Sequence, residues 1–122
     1  MKNNRFICSA LLLLLLGPML AIGCQIDIQL EPGAPPAVGG TGIVIVTVNQ
    51  THNQCTLPME QTKMKTTGCA IISATPWKET KPLVFTRKFK IKFETAGEAL
   101  LEINRTCSRD KNIKEFRFKI SP

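Results

Sequence analysis

The chain has 122 residues, 43% hydrophobic and 20% charged, which suits one folded domain and excludes a disordered polyelectrolyte. Its formal net charge of +7 favours anionic partners. It has one His, which leaves nucleophilic catalysis with a single candidate base.

Residues 1–23 predict an export leader. Lys2 and Arg5 supply a positive start, Phe6 to Leu16 is apolar, and Gly17-Pro18 stops a helix. Ala21-Ile22-Gly23 offers small residues at cleavage spacing, and the apolar run is too short to span a bilayer. The mature domain is then 24–122, exported to the cell envelope, periplasmic or outer-surface. Lys2 and Arg5 leave with the leader, so the net charge falls from +7 to +5.

Ile26, Ile28 and Leu30 alternate with polar residues and predict a first strand over 24–30. Glu31 to Gly42 is dense in Pro and Gly and reads as a turn region. Ile43 to Val48, IVIVTV, is a continuous β-branched run and predicts a central strand buried on both sides. Asn49 to Gly68 is polar and irregular, with a short strand near Leu57 to Met64. Cys69 to Thr75 predicts another strand, and Pro76 to Pro82 a loop in which Trp77 plugs the core.

Leu83 to Cys107 is the most ordered pattern. Phe85, Phe89, Ile91 and Phe93 share one parity, and Lys88, Lys90 and Lys92 take the other. Thr95-Ala96-Gly97-Glu98 breaks the run, and Gly97 permits a turn conformation. Alternation resumes at Ala99, Leu101 and Ile103. Ile113, Phe116, Phe118 and Ile120 mark a last strand with Arg117 and Lys119 outward.

These elements predict an all-β fold, an antiparallel β-sandwich of six or seven strands behind an N-terminal signal helix. The corner at Thr95-Ala96-Gly97-Glu98, before the penultimate strand, resembles that of bacterial immunoglobulin-like envelope domains. The resemblance implies a corner that hands the chain from one sheet to the other. The chain departs from antibody domains in having no Tyr for a tyrosine corner.

Cys8 leaves with the leader, and Cys24, Cys55, Cys69 and Cys107 remain. In an oxidising compartment they read as two disulfides with three possible pairings. Leu20-Ala21-Ile22-Gly23-Cys24 resembles the lipobox of bacterial lipoproteins, which implies lipid attachment at Cys24 and a membrane anchor. Cys55, Cys69 and Cys107 would then share one disulfide and one free thiol. In an immunoglobulin-like sandwich Cys24, the loop bearing Cys55, and Cys107 fall at one pole. Cys69 joins them only if Asn49 to Gly68 is a single loop. A crosslink from Cys55 to Cys69 or Cys107 is expected.

His52, Cys55 and Met59 place imidazole, thiol and thioether close together, a donor set for copper or zinc. A disulfide with an exposed His52 is the competing reading. Cys55 with His52 as base lacks an orienting partner and a turn to present the thiol, so catalysis is not expected. Lys88, Lys90 and Lys92, joined by Arg117 and Lys119 if the last strand lies alongside, form a basic face for an anionic surface. The same lysines also guard a strand against edge-to-edge pairing. No aromatic residues interleave with them on that face, which argues against nucleic acid. Lys65-Thr66-Thr67-Gly68 resembles the Pro-Thr-Thr-Gly loop of chagasin-type cysteine protease inhibitors, with Lys65 in place of Pro. That resemblance implies protease inhibition through polar loops. The expected function is a non-catalytic binding or structural module of the envelope, whose partner is an envelope protein or an anionic surface.

Overall fold

Period-two runs become strands because alternate side chains leave opposite faces of a pleated backbone, so one face can be buried while the other stays wet. The computed structural model describes residues 24–50, 57–106 and 111–122. Within them lie β1 (Cys24–Leu30), β2 (Thr41–Gln50), β3 (Lys63–Thr67), β4 (Cys69–Ala74), β5 (Lys78–Lys81), β6 (Val84–Phe93), β7 (Gly97–Thr106) and β8 (Lys111–Ile120). The expected leader helix at 1–23 lies outside the described residues.

The strands form two antiparallel sheets. One runs β1-β2-β6-β4, with β5 also paired to β6; the other runs β3-β7-β8. An all-β sandwich is therefore present, with eight described strands where six or seven were expected. The extra one is β5, which falls within the expected loop Pro76 to Pro82. Lys78 and Glu79 find ladder partners in Thr86 and Phe85 of β6.

The inner faces meet in one core. Val44, Val46 and Val48 of β2 lie against Phe89, Ile91 and Phe93 of β6, and Leu101, Ile103, Phe118 and Ile120 come from the other sheet. Each such side chain contributes about 1.5–3 kcal/mol by leaving water. Phe118 sits between Phe93 and Phe116, with ring centroids 5.6 Å and 4.9 Å away.

Three local expectations are corrected. The run IVIVTV is buried fully on one side only: Val44, Val46 and Val48 are buried, whereas Ile43, Ile45 and Thr47 are half-buried. An outer sheet face has no layer above it, so β-branched residues there reflect strand propensity rather than double burial. The short strand expected near Leu57 to Met64 is a 3₁₀ turn at Met59–Gln61 followed by β3, which starts later. Ile113 is 44% exposed, because odd positions of β8 face outward while Phe116, Phe118 and Ile120 face in.

Two glycines place the sheet crossings. Gly68, with φ 73°, joins β3 to β4 and so carries the chain between sheets. Its carbonyl accepts from the amides of Glu94 and Thr95, which stacks the β6–β7 corner upon it. Gly97 opens β7 with φ 102°, so the corner does pass the chain from one sheet to the other.

Candidate functional site

β6 is an inner strand of its sheet, flanked by β2 on one side and by β4 and β5 on the other. Its even positions face away from the core, and Lys88, Lys90 and Lys92 are all exposed. Alternate positions on a strand lie ~6.7 Å apart, so the three ammonium groups form a ridge of like charge. Their cross-strand neighbours on β2 are Ile45, Ile43 and Thr41. Across β4, Lys92 and Lys90 face Ala70 and Ser73. None of these neighbours is acidic. Among the described residues the ridge has one ion pair, Lys88 to Glu31 at 3.8 Å, with both side chains about half exposed.

Arg117 and Lys119 do not join this ridge. β8 pairs with β7 in the other sheet, so the expected five-residue basic face is divided between the two outer surfaces of the sandwich. Arg117 is also neutralised where it stands: it donates to the carboxylates of Glu98 and Glu115. Those contacts raise its pKa above the ordinary value, with the Glu98 hydrogen bond the largest cause.

The ridge runs into a groove of about 590 Å³ beside the junction of β4 and β5, lined by Pro76, Trp77, Lys78, Thr86, Arg87 and Lys88 among others. The junction opens because Pro76 has no amide hydrogen for the ladder and the chain steps away from β6 there. Arg87 braces the step: its Nε donates to the Thr75 carbonyl, and the Lys88 amide donates to Thr75 Oγ1. The guanidinium lies 5.8 Å from the Trp77 ring centroid and 5.1 Å from that of Phe89, both within cation–π range. Trp77 packs against the core, as expected, and its buried Nε1 has no hydrogen-bond partner among the described residues. Sequence reasoning passed over Arg87. Its signal is parity: it shares the inward side of β6 with Phe85 and Phe89.

The opposite inward-facing cation is Arg105, which is fully buried. It continues the parity of Ala99, Leu101 and Ile103, a signal that was legible but unused. Its Nη1 donates to Thr62 Oγ1 at 2.6 Å and to the Pro58 carbonyl at 3.4 Å, and Nη2 donates to the Leu57 carbonyl at 3.0 Å. Arg105 thus fastens the segment before β3 to the end of β7.

The cysteines separate. Cys24 is 6% exposed, opens β1 opposite Gln50, and carries a free thiol. Cys69, also free and buried, pairs with Phe93 at the other end of β6. Asn49 to Gly68 contains β3, so it is no single loop, and Cys69 does not reach the pole of Cys24. The Cys69 thiol is pushed above its ordinary value by burial first and by the charge of Glu94 second. Cys55 and Cys107 lie outside the described residues. So does His52, which leaves Met59 as the described member of the expected copper or zinc site. Met59 is buried, and its sulfur accepts from Gln50 Nε2 at 3.7 Å. Among the described residues no three His, Cys, Asp or Glu side chains gather as a metal site. Lys65, Thr66 and Thr67, expected in an inhibitory loop, lie in β3 paired to Glu102, Leu101 and Leu100. Such ladder pairing removes them from any protruding loop.

No family model matches the chain, and no curated protein is found similar to it.

Proposed function

We propose that the protein is an exported, non-catalytic binding module of the cell envelope that contacts an anionic surface through the outer face of its larger sheet. The observation that carries this reading is the ridge Lys88, Lys90 and Lys92, in which, among the described residues, Lys88 alone has an ion-pair partner, set on an inner strand between half-buried Ile43 and Ile45 on one side and β4 on the other. Lysines on an edge strand serve to block pairing. β6 is not an edge, so that role does not account for three of them in a row. The leader expected at residues 1–23 supports export. A lipid on Cys24 would compete with the burial of its sulfur, so the reading does not depend on an anchor.

Two triple variants of equal charge loss test this. On a sulfonated cation matrix, K88Q/K90Q/K92Q is expected to elute at clearly lower salt than the parent. K63Q/K65Q/K119Q, altered on the other sheet, should elute close to the parent. Equal shifts of the two triples would reduce the effect to net charge and remove the face as a site.

A further inference from the structure

The lysine ridge shares its face with alkyl side chains. In the register of β2 against β6, Lys88 lies opposite Ile45 and Lys90 opposite Ile43, with β-carbons about 5 Å apart. Both isoleucines have the parity that points away from the core, and both are half-buried. Each of these two rungs therefore holds one ammonium and one branched alkyl group side by side. On the other flank, Lys92 and Lys90 face Ala70 and Ser73 of β4, which are too short to screen them.

The face extends beyond the ridge. Lys78 of β5 pairs with Thr86, an even position of β6, so it shares the outward side, and it is exposed. Ile72, at the bulge of β4, is 53% exposed at the margin of the same sheet. The carboxylates lie to the other side. Asp27 is exposed on β1, opposite Thr47 and two strands, ~9.5 Å, from β6. Glu31, the partner of Lys88, directly follows β1. The charge is thus graded across the sheet, cationic over β5 and β6 and acidic along β1.

This composition distinguishes between anionic surfaces. A polysaccharide or an acidic polypeptide neutralises ammonium groups but stays hydrated, so it returns nothing for the isoleucines. The headgroup layer of a bilayer returns both. Lysine ammonium groups reach phosphates on flexible stems, while alkyl groups beside them enter the acyl boundary. Each lysine near such a surface adds its own attraction, so three along ~13 Å of strand act together.

We infer that the outer face of the larger sheet lies on an anionic phospholipid bilayer, with Lys88, Lys90 and Lys92 on lipid phosphates, Ile43 and Ile45 at the acyl boundary, and β1 tilted away. This rests on the proposed anionic-surface reading and names the class of surface.

Vesicle flotation tests it. The purified protein is expected to bind mixed phosphatidylglycerol and phosphatidylcholine vesicles well above its binding to phosphatidylcholine alone. The second value subtracts any binding through the leader or a lipid on Cys24, which needs no anionic lipid. K88Q/K90Q/K92Q should weaken the phosphatidylglycerol-dependent part about a hundredfold, and E31Q should strengthen it about two- to fivefold. I43T/I45T keeps charge and β-branching but loses alkyl surface. It is expected to weaken vesicle binding about tenfold while leaving the sulfonated matrix at the parent's salt.

The outcomes separate the two readings. Vesicle binding that I43T/I45T leaves unchanged overturns the bilayer and keeps the ridge. So does a parent that binds polyglutamate as tightly as phosphatidylglycerol vesicles at equal charge concentration and salt, or that shows no phosphatidylglycerol-dependent binding. These last two comparisons use the parent alone, so they stand even if I43T/I45T folds poorly. Equal elution shifts of the two lysine triples on the sulfonated matrix overturn the ridge itself.

Discussion

Three residues hold unusual positions for their chemistry, and each predicts a measurement. Leu83 has φ 65°, a left-handed conformation that a β-carbon resists. It follows Pro82 in the tight turn between β5 and β6, where a type II turn calls for Gly or Asn. L83G is expected to raise stability by about 0.5–1 kcal/mol in urea unfolding, since relief of the steric cost exceeds the entropy that Gly adds to the unfolded chain. Arg105 is the reverse case, a buried cation whose Nη1 and Nη2 are satisfied while its Nε has no partner among the described residues. R105M keeps much of the volume but orphans the Leu57 and Pro58 carbonyls and Thr62 Oγ1. A loss of about 2–4 kcal/mol is expected, with faster amide exchange in the turn at Met59–Gln61. Cys69 sits with its ionisation opposed by burial and by Glu94. The folded state holds the thiol proton more tightly than the unfolded chain does. Stability is therefore intact below the ordinary thiol value of 9.0 and falls as pH rises from there through the folded value. C69A should flatten that alkaline decline in thermal melts; an unchanged decline would assign it to other groups.

At the scale of elements, the two corners matter more than any one strand. Gly68 carries the chain from one sheet to the other, and its carbonyl receives the β6–β7 corner. A β-carbon there would lie 3.3 Å from the Glu98 carbonyl oxygen and 3.4 Å from Ala99 atoms, on a backbone at φ 73°. G68A is expected to cost about 1–3 kcal/mol, because left-handed strain and crowding act together. Gly97 has a similar φ, 102°, but open space around it. G97A should therefore cost less than G68A, and guanidinium denaturation of the pair measures the difference. β6 carries the lysine ridge and core side chains on opposite faces. Its Phe89, Ile91 and Phe93 fill the interior, and the intervening lysines face water. Neutralising those lysines should leave the melting temperature within a few degrees of the parent while lowering the salt at which the protein leaves the sulfonated matrix, since charges on an exposed face contribute little to folding.

Across the whole molecule, the arrangement of poles constrains the thiols. Cys24 and Cys69 lie at opposite ends of one sheet, separated by most of the length of β6. Peptide mapping of unreduced protein is expected to recover Cys69 as a thiol; a crosslink through it would require β4 to leave the sheet. Much of this architecture was readable beforehand. The alternation at Phe89, Ile91 and Phe93 and its resumption at Ala99, Leu101 and Ile103 announced two half-buried strands, because side-chain direction in a strand has a period of two whatever the strand packs against. The glycine at 97 announced the turn between them, since that constraint is also local. Pairing partners were another matter. The same outward parity in Lys88 and Arg117 suggested one basic face, and only the strand order put them on opposite surfaces. Arg87 and Arg105 share the parity of core residues, yet nothing near them in the chain names the rings or carbonyls they meet. Those partners are brought by segments up to 48 positions away. Local geometry decides which way a side chain points; the order in which strands assemble decides what is waiting there.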